Sequence, residues 1–100
     1  MGYQLWIKDE AKAEIRRLPG HVRQRIRQAI QSLSNEPRPP NSRELRVPEG
    51  ITLEARRLRL DRWWVIYVVG DEWSEVGVLA VRKRPPYGYG DLPDLLAELD

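Results

Sequence analysis

The sequence predicts an α+β domain: a two-helix hairpin packed on a mostly antiparallel four-stranded sheet, ordered β-α-α-β-β-β, with a short helix at the C-terminus. Three observations predict it. Apolar residues recur at helical spacing between Asp9 and Ser34, with one interruption at Pro19-Gly20. Leu53 to Tyr67 reads as two strands joined by a tight turn at Asp61-Arg62. Val76-Gly-Val-Leu-Ala-Val81 is a short apolar run of strand length. The 100 residues make one domain, and 41% hydrophobic residues suffice for a single modest core.

Each element has its own signal. Tyr3-Gln-Leu-Trp-Ile7 alternates as a first strand, with Tyr3, Leu5 and Ile7 on one face. Asp9 suits an N-cap and Glu10 suits the positive end of a short helix, whose buried stripe is Ala11, Ile15 and Leu18. Pro19-Gly20 ends that helix, and a second runs from about His21 to Ser34. Val22, Ile26, Ala29, Ile30 and Leu33 form its apolar stripe, while Arg23, Arg25 and Arg27 point elsewhere. His21 reads as a solvated surface residue. Asn35 to Ser42 is too proline-rich for helix or central strand and reads as an ordered loop. Leu45-Arg46-Val47 is a short extended piece before the turn at Pro48-Glu49-Gly50.

A two-residue turn at 61–62 fixes the hairpin register by counting. Leu60 then faces Trp63, Arg59 faces Trp64, Leu58 faces Val65 and Arg57 faces Ile66. Opposed residues share a face, so Leu58, Leu60, Trp63 and Val65 form an oily back, and Arg57, Arg59 and Trp64 a front. Gly70-Asp71 begins the next turn, and the last strand runs from Val76 into Arg82-Lys83-Arg84. Gly77 within it marks a close backbone approach or a bulge. With Leu79 and Val81 set against the helices, Val78, Ala80, Arg82 and Arg84 join the front, where Ile66, Val68 and Val78 are either covered by the leucine stripe of the terminal helix or left as an exposed patch for a partner. Tyr87 and Tyr89 follow. Residues 91–99 read as a helix with a stripe of Leu92, Leu95, Leu96 and Leu99.

Composition narrows the chemistry. There is no cysteine and one histidine, so thiolate chemistry is excluded and no cofactor or metal cluster is expected. No run approaches the roughly 18 apolar residues of a membrane span, and no signal peptide precedes the first strand. A cytoplasmic protein with no membrane partner is therefore expected. The net charge of +2 hides an asymmetry: Asp91, Asp94, Glu98 and Asp100 fall in the last ten residues, so the first ninety hold 17 basic groups against the other 11 acidic ones. All the bases but Lys8, Lys12 and Lys83 are arginine, whose planar fork suits phosphate and base stacking, although a GC-rich genome explains the ratio about as well and the clustering carries more weight. A solvated strand can be arginine-rich for solubility alone, which is the simpler reading of Arg56 and Arg62. Arg57, Arg59 and Arg84 on one face with Trp64, Tyr87 and Tyr89 make a surface of phosphate binders and stacking platforms that suits nucleic acid.

The order of elements, the block Leu-Arg-Leu-Asp-Arg-Trp-Trp-Val-Ile-Tyr (58–67) and the closing Val-Leu-Ala-Val-Arg-Lys-Arg (78–84) followed by tyrosines resemble the RelE/ParE toxin superfamily, over nearly the whole chain. That resemblance implies the toxin of a bacterial type II toxin–antitoxin pair. RelE-like members are ribosome-dependent mRNA endonucleases; ParE-like members act on DNA gyrase and lack the nuclease residues. By position, Arg57 and Arg59 match basic residues of the central strand, Arg84 matches the arginine ending the last strand, and Tyr87 or Tyr89 matches the C-terminal tyrosine. These five are the implied catalytic set, with Trp64, Arg62, Arg82 and Lys83 as RNA contacts. RelE-like sequences usually read aromatic-Arg-apolar-apolar-Tyr where this chain has Trp63-Trp64-Val65-Ile66-Tyr67, so Trp64 stands in place of a phosphate-binding arginine.

The resemblance implies three readings: a metal-independent mRNA interferase, a gyrase-directed toxin, and an attenuated antitoxin-bound co-repressor. The implied partners are a cognate antitoxin, the ribosome and mRNA, with operator DNA reached only through the antitoxin. Attack by a ribose 2′-hydroxyl needs a proton acceptor, and guanidiniums, with pKa above about 12, are poor ones. A tyrosine, Glu54, Glu44 or the surroundings of the ribosome-bound RNA would have to serve. In a regular strand Glu54 shares its parity with Leu58 and points away from the arginines.

Overall fold

The computed structural model describes residues 2–83. In chain order the elements are β1 (Gln4–Ile7), α1 (Asp9–Arg16), α2 (Gly20–Ser32), β2 (Ser42–Leu45), β3 (Glu54–Leu60), β4 (Trp63–Gly70) and β5 (Glu75–Lys83). The sheet has five strands in the order β1-β5-β4-β3-β2. β1 runs parallel to β5, and the other neighbours are antiparallel. The α+β class is as predicted; the strand count is not. The extra strand is β2, which the proline-rich stretch and its polar sequence Ser-Arg-Glu-Leu had masked. The expected helix at 91–99 lies outside the described residues.

The helices follow their apolar stripes. Ala11, Ile15 and Leu18 are buried from the first segment, and Ile26, Ile30 and Leu33 from the second. They meet Leu58, Val65, Tyr67, Val69, Val76, Val78 and Val81 on one face of the sheet. Burying each such aliphatic side chain contributes roughly 1.5–3 kcal/mol, so this layer is the main source of stability. Lys8, not Asp9, is the N-cap of α1, and no side chain caps it; Asp9 and Glu10 instead occupy the first turn, where the helix dipole favours them. The first helix ends at Arg16, with Arg17 as its C-cap, and Pro19 occupies the N-cap position of the second.

The β3–β4 register matches the predicted one residue for residue, from Leu60 opposite Trp63 to Arg57 opposite Ile66. Asp61 takes the left-handed φ of 53° that the turn requires, and its carboxylate accepts a 2.6 Å bond from Arg25 Nη1. That ion pair ties α2 to the hairpin tip.

The last strand departs from the predicted alternation. Ile66 pairs with Ala80 but Tyr67 pairs with Val78, so a β-bulge leaves Leu79 as the extra residue. Val78 therefore joins the helix-side core, and Leu79 moves to the other face beside Ala80, Ile66 and Val68. Those residues are not exposed there: they are buried, and Trp6, Leu45, Val47, Ile51 and Leu53 pack against them. Gly77 is a close-approach glycine, because a side chain there would collide with the Trp6 ring. Val81 N–H, beyond the end of β1, donates to Glu14 Oε1 of α1 at 3.1 Å, which closes the sheet edge.

Candidate nucleic-acid interface

The front of the sheet is built by register alone. Arg43 of β2 lies opposite Arg57 of β3, Arg59 lies opposite Trp64 of β4, and Trp64 lies opposite Arg82 of β5. Alternation puts all five on the face away from the helices. Two asparagine contacts hold β2 in place: Arg59 N–H donates to the Asn41 carbonyl, and Asn41 Nδ2 donates to the Arg59 carbonyl, both at 3.1 Å. The proline-rich loop behind is anchored by Tyr67 Oη, which donates to the Pro37 carbonyl at 2.7 Å. Burial pushes the Tyr67 phenol above its ordinary pKa, so it stays protonated as a donor.

The result is an open groove of about 530 Å³ lined by Pro40, Asn41, Arg43, Arg57, Arg59 and Asp61. Arg43 and Arg59 have no ion-pair partner among the described residues, and Arg43 faces Arg57 directly across the strands. Like charges so opposed are destabilising. Arg57 and Arg59 stand two residues apart along the strand, about 7 Å, a spacing similar to that of successive phosphates in an extended strand. The carboxylate in the groove, Asp61, is engaged by Arg25.

Trp64 is only 6% exposed. The Arg57 guanidinium carbon lies 4.4 Å from its ring centroid, a cation–π contact worth about 0.5–2 kcal/mol. The indole therefore holds Arg57 from beneath rather than offering an open face to a base. Arg82 Nε bonds Glu14 Oε2 at 3.3 Å, which leans this arginine towards the α1 edge. Arg62 sits exposed in the turn, and Lys83, opposite Trp63, falls on the helix-side parity. Arg84, Tyr87 and Tyr89 lie outside the described residues. Of the expected set, the structure brings Arg57, Arg59, Trp64 and Arg82 onto one face. Arg43 and Asn41 were not foreseen; only a strand assignment at 42–45 would have exposed them.

The expected proton acceptors are elsewhere. Glu54 points to the helix side, bridged by Arg38 (2.9 Å to Oε1) and Arg56 (2.7 Å to Oε2). Arg38 first and then Arg56 hold its carboxyl below the usual range, while burial opposes them. Glu44 lies opposite Arg56 and so off the front face. Among the described residues no group of His, Cys, Asp or Glu could hold a metal ion.

A family model described as the ParE toxin of the type II toxin–antitoxin system parDE matches residues 6–85. The chain belongs to the RelE/ParE toxin superfamily. The toxin's fold is also that of solved RelE proteins. The RelE–RelB complex of Pyrococcus horikoshii is similar with a TM-score of 0.75 and 24% identity, covering 87% of this chain and 100% of that one. RelBE2 of Mycobacterium tuberculosis gives 0.70 and 22%, covering 84% and 100%. Isolated Escherichia coli RelE gives 0.65 and 23%, covering 85% and 87%. No curated protein matches the sequence. Among the described residues no helix is long and apolar enough to cross a membrane.

Proposed function

We propose that the toxin is a ribosome-dependent mRNA endoribonuclease that inhibits translation and is neutralised by a cognate antitoxin. The observation that carries this reading is the groove in which Arg43, Arg57 and Arg59 converge, with Asp61 the one carboxylate among its described lining residues. Such a groove selects a polyanion, and its open shape suits an extended strand rather than a compact ligand. In cleavage, a ribose 2′-hydroxyl attacks the adjacent phosphate, the pentavalent charge is stabilised and the leaving 5′-oxygen is protonated. Arg57, Arg59 and Arg84 take the charge, and Trp64 fixes the first of them. Tyr87 or Tyr89 moves the proton, because guanidiniums cannot. Arg62, in the turn beside the groove, is the nearest further cation for the strand, whereas Arg82 leans towards Glu14 and Lys83 falls on the other face. No metal or cofactor enters this scheme.

The RelE neighbours solved with RelB support a protein antitoxin as partner. Operator DNA is reached through that antitoxin. The site of action is the cytoplasm, where the ribosome is. Two observations favour a second reading, a ParE-type toxin of DNA gyrase: the family model that matches is named for ParE, and Trp64 stands where an arginine is usual. Purified ribosomes translating a defined mRNA separate these readings. Cleavage that requires the ribosome is the expected result. No cleavage, with gyrase supercoiling inhibited instead, overturns it; neither activity points to an antitoxin-bound co-repressor.

A further inference from the structure

The end of the same sheet face remote from the arginines holds a second depression, of about 350 Å³, lined by Trp6, Leu53, Val68, Trp73, Glu75 and Gly77. Its floor is the Trp6 indole, which lies on the backbone of Gly77 where any side chain would collide. Its rim is Trp73, 67% exposed and the exposed large hydrophobic residue of the described chain. Glu75 is on the same face by register, opposite Gly70 and two residues before Gly77.

Charge sets this carboxylate apart. Three acidic residues among those described are half-buried: Glu14, Glu54 and Glu75. Glu14 is engaged by Arg82 and the Val81 N–H, and Glu54 by Arg38 and Arg56. Glu75 makes no ion pair with any described residue. A carboxylate drawn partly out of water without a counter-charge is costly, and one flanked by two indoles is placed to receive a cation. The neighbouring Glu72 adds to the negative field, whereas Asp71 is already bonded to Arg38 and Tyr3.

We infer that this pocket receives a lysine or arginine side chain of a partner protein, held between the two indoles and paired with Glu75. The occupant is a protein segment rather than a free amine, because the half-buried Leu53 and the exposed Trp73 offer apolar surface that only residues flanking the cation can cover. The acidic C-terminal stretch of this chain has the wrong charge for the site. The arginine groove and this pocket lie at opposite ends of the β4 strand, so both can be filled at once, and the inference is independent of which target the groove engages.

The test titrates the isotope-labelled full chain with acetyl-Leu-Arg-Leu-amide and with acetyl-Leu-Gln-Leu-amide, following the indole N–H resonances of Trp6 and Trp73. Saturable shifts at both indoles with the arginine peptide are expected. Binding about tenfold or more weaker is expected for the glutamine peptide and for the Glu75→Gln chain. The exposed change Trp73→Ala, which leaves the core intact, should abolish the Trp6 shift. No saturable shift at either indole, equal affinity for the two peptides, or undiminished affinity in Glu75→Gln would overturn the assignment.

Discussion

Arg56 and Arg57 are neighbours in sequence and opposites in environment. Arg56 faces the helix side, where its guanidinium bonds Ser42 Oγ through Nε and Nη2 and Glu54 through Nη1. Arg57 faces the other way, opposite Arg43 and over Trp64. One arginine is bonded to its helix-side neighbours; the other stands in a groove beside Arg43 and Arg59, which make no ion pair with a described residue. The period of a β-strand makes this division, so residue type alone does not mark a site. What marks it is a cluster of like charge on one face, two of whose members, Arg43 and Arg59, make no ion pair with a described residue.

The largest effect should follow from emptying the groove. Arg57→Ala with Arg59→Ala is expected to lower ribosome-dependent cleavage by about 10²–10³-fold or more, since each removes stabilisation of transition-state charge. Its denaturation midpoint should move little, within about 0.5 kcal/mol, because relief of repulsion offsets lost surface contacts. Quantified primer extension on cleaved mRNA and a urea titration check the two halves. Arg56→Ala should do the reverse. Leaving Ser42 and Glu54 without this partner is expected to cost about 1–3 kcal/mol of stability, read in the same urea titration, while cleavage by the folded fraction persists.

Acid tests the structural side of the comparison. The Glu54 carboxyl has a folded pKa below its unfolded one. Its stabilisation is therefore fully present above the unfolded value near 4.5 and is lost as pH falls through the lowered folded value. Urea midpoints measured from neutral pH downwards should fall through that window, and Arg38→Gln should flatten the fall. The smallest effect concerns Trp64. Trp64→Phe keeps an aromatic face under Arg57, and Trp64→Leu removes it. RNA affinity should drop about two- to tenfold further in the leucine variant, by fluorescence anisotropy, with both variants folded.

How far these features could be read in the sequence depended on how strongly each was determined locally. The β3–β4 register was legible because a two-residue turn leaves no slack, and so were the helix stripes, which recur every third or fourth residue. β2 was not, because Ser42-Arg43-Glu44-Leu45 carries no apolar alternation and is placed by Asn41 contacts made across the sheet. The bulge was hidden for a different reason. Val76 to Val81 is apolar at every position except Gly77, and both faces of β5 are buried, so no polar residue reports the slip at Leu79. The groove inherited both gaps: Arg57 and Arg59 were visible early, Arg43 only with β2 in place. Trp64 stood out as a departure from the family pattern, but its burial beneath Arg57 is a tertiary fact.

The most direct test of the two-faced strand is to watch its arginines bind. The Nε–H resonances of the isotope-labelled chain, followed during titration with a short single-stranded RNA, report each guanidinium separately. Arg43, Arg57 and Arg59 should shift together and saturably, while Arg38 and Arg56 stay where they are. Shifts confined to Arg38 and Arg56, or no saturable shift in the groove, would contradict the account.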